Sequence, residues 1–237
     1  MRPMRTLNLM MPALAMACAL LLLPAAAHAQ GRSAADRLAG RVSEPLRQEL
    51  SPLVDSARAE GLPTDALVER AVEGASKRAS DDRILSAVRR LRTALGASRL
   101  ALGASASPAE VEAGASALQA GASSAGLAGI RRERPYQQAS LTVPLSVLAD
   151  LVVRGVPADT AAHAVLALAR GGDAVLAAYR RDVERDIAVG ALPAAAASLR
   201  AVSFGNALTA ADATVRGAER GPTTLGAPVR LPQPRKP

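Results

Sequence analysis

From Leu46 to Ile187 the apolar residues of this chain recur with the period of a helix, and no run alternates long enough to predict a strand. Between Ser43 and Arg58, residues Leu46, Leu50, Leu53, Val54 and Ala57 share one face, and Ser51-Pro52 offers a point of division, with Ser as cap and Pro at the first helical position. Gly61-Leu62-Pro63 ends this segment, because glycine suits a helix C-terminus and proline cannot continue one. A second helix opens at Thr64 or Asp65 and carries Leu67, Val68, Ala71 and Val72. A third follows Ser80, with Asp81 and Asp82 at its positive end and Ile84, Val88, Leu91 and Leu95 as its stripe; Gly96 loosens its end.

Ser107-Pro108-Ala109-Glu110 is a capping box and opens a helix that reaches about Gly121. A weak helix is predicted near Leu127 to Arg132, then a loop through Pro135. Further helices are predicted over Val143 to Val153, over 159–170, after Gly171-Gly172-Asp173 and from Ala194 to Val202.

The Gly-apolar-Pro turn recurs. Gly61, Pro63, Asp65 and Ala75 match Gly155, Pro157, Asp159 and Ala169 at a constant offset of 94, and Gly190-Ala191-Leu192-Pro193 repeats the turn with one extra residue. Two related units, about 46–95 and 144–189, are one reading; three repeats of about 47 residues, with Pro108 near the midpoint, are another. The expected fold is all-α: a multi-helix bundle or a short helical-repeat array. Over residues 46–95 the chain resembles exported bacterial proteins with Gly-Leu-Pro helical hairpins. That resemblance implies a helical fold and brings no activity with it.

The ends differ from this pattern. Arg2 and Arg5 precede an apolar run from Met10 to Leu23, Pro24 breaks it, and Ala27-His28-Ala29 is a small-x-small cleavage pattern. A membrane-spanning helix needs roughly 20 apolar residues, so residues 1–29 read as a signal peptide cleaved before Gln30 rather than as an anchor. The mature protein is then periplasmic or extracellular. Residues 30–41 read as a flexible lead and 42–205 as the helical domain. Residues 206–237 read as a basic, proline-rich, disordered tail, since from Gly217 onward five prolines and four basic residues bury too little to offset ordering entropy.

Composition narrows the chemistry. The sole cysteine, Cys18, lies in the leader, so the mature chain has no thiol for a disulfide, a metal site or a nucleophile. Tyr136, Tyr179 and Phe204 are the only aromatics, too few for a base-stacking or sugar-binding platform, and no specific nucleic-acid partner is expected. The formal charge of +8 is carried almost entirely by arginine, which a GC-rich coding bias produces by default and which an anionic polymer or headgroup would also attract.

Catalytic candidates are sparse. His163 has Asp159 one turn before it, but no Gly-x-Ser-x-Gly elbow exists to complete a triad. Asp182, Glu184 and Asp186 alternate with Arg181 and Arg185, which reads as a solvated face. Asp65, Glu69 and Glu73 form a ladder of like charges on one helix face, unfavourable unless Arg70, Lys77 or a cation compensates. No nucleotide-cradling, calcium-loop or other cofactor motif is present. The remaining polar features are Arg89, Arg90 and Arg92, and Arg131, Arg132 and Arg134, whose guanidinium groups bind phosphate or carboxylate bidentately. The expectation is therefore a non-enzymatic exported protein with a protein partner in the envelope. The alternative is binding of anionic envelope polymers or headgroups through those arginines and the tail. A hydrolase using a buried carboxylate leaves no sequence mark.

Overall fold

The computed structural model describes residues 33–133 and 139–219. The expected leader, the first residues of the lead, Arg134 and residues 220–237 lie outside them. The described residues form helices α1 (Ala34–Leu38), α2 (Glu44–Ala59), α3 (Thr64–Ser76), α4 (Asp81–Leu102), α5 (Pro108–Ala120), α6 (Ser124–Glu133), α7 (Thr142–Val153), α8 (Ala158–Leu168), α9 (Gly172–Ala188) and α10 (Pro193–Glu219). The fold is all-α, and no strand occurs among the described residues.

Helix α4 lies against α2, α3, α5 and α6. Beyond it, α5, α7 and α9 pack side by side as one layer, and α6, α8 and α10 as a second. Apolar residues from both layers merge into one core of Leu, Val, Ile and Ala, with Tyr179 as its largest fully buried side chain. The 31-residue stretch Ala158–Ala188 is long and apolar enough by composition to cross a bilayer, with mean hydropathy 1.2. It is broken at Ala169–Gly172 and buries Val165, Leu168, Leu176 and Tyr179 in the core.

Five of the turns between helices share one hydrogen-bond pattern. At Gly61, the Leu62 amide donates to the Ala57 carbonyl and the Gly61 amide to Arg58; at Gly155, the Val156 amide donates to Leu151 and the Gly155 amide to Val152. These are the same bonds at the offset of 94. They need a residue at positive φ, which glycine supplies at +70° and +88°. The pattern recurs at Gly121 and Gly190, and at Arg78, where φ is 56° without glycine. These positions do not fall at 47-residue intervals.

Several boundaries differ from expectation. The lead is not wholly flexible: α1 places Leu38 fully inside the core, and Arg37 binds Asp65 at 2.5 Å. A single leucine in a polar segment shows no period, so only its destination reveals it. Helix α2 is not divided at Pro52. Pro52 removes an amide, and Ser51 donates its hydroxyl back to the Arg47 carbonyl at 2.8 Å instead of capping. Burial of Leu46, Leu50, Val54 and Ala57, each worth up to about 3 kcal/mol for the larger side chains, outweighs the roughly 3 kcal/mol of an interior proline. Helix α4 likewise runs through Gly96 to Leu102. Helix α10 passes Val202 and the expected limit at 205 to end at Glu219, so residues 206–219 are helical rather than a disordered tail. Phe204 and Leu208 pack against the core and carry that helix onward.

Candidate functional site

The predicted arginine sites are mostly occupied by the protein itself. Helix α4 lies on α2, so Arg92 meets Glu60 and, at 3.0 Å, the Ser56 hydroxyl, while Arg89 faces Glu49 at 3.6 Å. On α6, Arg131 donates to the Ser105 hydroxyl at 2.6 Å. Arg90 and Arg132 are exposed and held by no described residue. Arg134 lies outside the described residues. The two clusters are thus not two free guanidinium faces.

The acidic segments are also claimed. Asp182 and Asp186 do not form a solvated face: Arg200 of α10 grips Asp186 through two bonds of 2.6 and 2.8 Å and lies 3.9 Å from Asp182. This interaction, led by the Arg200 hydrogen bond, holds the Asp186 carboxyl below its ordinary range. In the ladder, Asp65 pairs with Arg37, and Glu73 with Lys77 at 2.5 Å and Arg70 at 3.9 Å. The third acid, Glu69, instead borders a groove of about 310 Å³ between α3, α4 and α5, opposite Glu112. Burial first, then the charges of Glu69 and Asp65, push the Glu112 carboxyl up. Among the described residues no group of three or more His, Cys, Asp or Glu side chains could hold a metal ion.

One acid is structural. Glu110, 5 % exposed, takes the Ser107 amide at 2.8 Å and the Leu141 amide at 2.7 Å, so the predicted capping box also ties α5 to the start of α7. Burial pushes its carboxyl up, but those amides, the Ser107 hydroxyl and the charge of Arg131 together leave it below the ordinary range.

The least satisfied surface is at the other end. Gly190, at φ 101°, turns the chain from α9 into α10. The inner face of α10 buries Ala196 and Ala197, and the buried Tyr179 hydroxyl donates to the Ala197 carbonyl at 3.0 Å. The Tyr179 ring meets Phe204 edge-on, 6.1 Å between centroids, and burial pushes its phenol up to about 12. The outer face has no such cover. Leu199 and Val202 upon it are exposed at 69 and 62 %, and Val189 and Leu192, in the turn leading into it, at 81 and 75 %. Beside them, α8 and α10 bound an open groove of about 520 Å³ lined by small and apolar residues, with Thr160, His163, Ser198 and Asn206 as polar points. His163 is exposed and makes no hydrogen bond to Asp159 or to any nucleophile, so no catalytic dyad is assembled there. What this surface offers is a wide, shallow apolar contact.

Leu199 and Val202 fall within the helix predicted from Ala194 to Val202, but their spacing does not say whether another helix covers them. The legible signal was the heptad spacing of Leu192, Leu199 and Asn206. Comparison of the chain with family models, with curated proteins and with solved structures found no match.

Proposed function

We propose that this is an exported, non-enzymatic protein that works by protein–protein contact, and that the contact is made by the open α8–α10 face. The observation that carries the reading is the row of Leu192, just before α10, and Leu199 and Val202 upon it, exposed at the end of the helical layers. In a stack of helical hairpins the terminal helix keeps a polar outer face for solubility. A terminal helix with an apolar outer face is instead suited to a partner. The export part of the reading rests on residues 1–29 and their small-x-small cleavage pattern.

The alternative, attraction to anionic envelope polymers, draws less support, because Arg89, Arg92 and Arg131 already have partners within the chain. The test is capture of bound protein from envelope extract by the full chain and by its Leu199→Asp form. Leu199 is exposed, so this change should leave stability within about 0.5 kcal/mol. Loss of the bound protein with Leu199→Asp is the expected result. Binding that ignores Leu199→Asp but vanishes with added salt would favour the anionic alternative.

A further inference from the structure

We infer that the open face of α10 is covered by a second copy of the chain, the two α10 helices lying antiparallel about a two-fold axis at Asn206. This rests on the preceding reading of that face as a contact surface and names its occupant. The outer face of α10 carries a seam of period 3.5: Leu199, Asn206 and Ala213 recur every seven residues, continuing the spacing from Leu192 just before the helix, with Val202 and Thr209 between them, and all are exposed. The first half of the seam is large and apolar, and the second half is small.

A two-fold interface must be complementary to itself, and this seam is. With Asn206 on the axis, Leu199 lies opposite Ala213 of the second copy and Val202 opposite its Ala210, so large side chains meet small ones along the length. The two Asn206 amides meet at the centre, each able to donate and accept.

The area sets the expected strength. Helix α10 has 27 residues, about 40 Å of helix roughly 10 Å wide. Two such strips give on the order of 1,000 Å² including the α8 rim, at the lower edge of specific interfaces. The dimer should therefore be reversible and concentration-dependent. The basic segment after Glu219 is a poorer occupant, since Leu192, Leu199 and Val202 offer it no charge.

The experiment uses the exported form, residues 30–237, which holds no cysteine. Sedimentation velocity across a micromolar concentration series should show a monomer passing to a dimer. Val202→Asp should weaken self-association by about tenfold or more with the far-ultraviolet helical signal unchanged. Asn206→Cys should form a disulfide-linked dimer under mild oxidation, because residues on the axis come within bridging distance, while Ser86→Cys on exposed α4 should not.

A monomer throughout the series would overturn the inference. So would a dimer indifferent to Val202→Asp, or equal cross-linking at residues 86 and 206. If the chain is monomeric yet Leu199→Asp loses a bound protein, the contact face stands and only its occupant is wrong. If Leu199→Asp changes neither self-association nor capture, the face itself is wrong.

Discussion

Helices α4 and α5 cross so closely at Gly114 that a single methyl group should reveal the contact. A Cβ at residue 114 would lie 2.2 Å from the Ser98 hydroxyl oxygen, 3.1 Å from a Leu127 methyl and 3.2 Å from a Leu102 methyl. Opposing this clash is helix propensity: glycine in a helix interior is about 0.5–1 kcal/mol worse than alanine. Overpacking of a close-packed core costs about 1–3 kcal/mol, so Gly114→Ala should lose roughly 1–2 kcal/mol net. Ser98 sharpens the test, because it is fully buried and its hydroxyl has no hydrogen-bond partner. An unsatisfied buried hydroxyl costs about 1–3 kcal/mol, so Ser98→Ala alone should stabilise by roughly 1 kcal/mol. It also removes the atom that Cβ114 would strike. The double variant Ser98→Ala/Gly114→Ala should exceed wild type in stability, with a coupling energy of about 2 kcal/mol. Urea denaturation followed by helical circular dichroism measures all four corners of the cycle. A Gly114→Ala protein as stable as wild type would refute the close crossing, as would an equal loss in the Ser98→Ala background.

Two further outcomes test other parts of the argument. Glu110 is held below the ordinary carboxylate range, so its contribution is fully present above the unfolded value of about 4.3 and is lost as pH falls through the lower folded value. Glu110→Gln should cost about 1.5–3 kcal/mol at pH 7 and flatten the decline of stability below about pH 4; denaturation curves equally steep in acid for both proteins would contradict this. For export, mass spectrometry of the secreted protein should find Gln30 at its N-terminus, and recovery of Met1 in the membrane fraction would favour an anchor instead.

Most of the helices were determined by the sequence alone, because their signals are local. The capping box at Ser107 and Glu110, the glycines at 61, 121, 155 and 190 that relieve positive φ, and the apolar stripe of α4 act within a turn or two of backbone. Where local preference met tertiary burial, burial prevailed. Pro52 and Gly96 argue against continuing a helix, yet α2 and α4 pass through them because their apolar faces are anchored in the core on both sides. Leu38 joins the core although no other large apolar residue lies within three positions of it. The arginines show the same limit from the side of charge. Arg89 and Arg92 look free on α4 and become paired only when α2 brings Glu49 and Glu60 across from them. The Asp182–Asp186 face looks solvated until Arg200 arrives from α10. The open α8–α10 face belongs to the same class. The spacing of Leu192, Leu199 and Asn206 is written in the chain, but whether a helical stripe is buried or bare depends on which helix stands next to it. At the last helix of a layer, no other part of the described chain does.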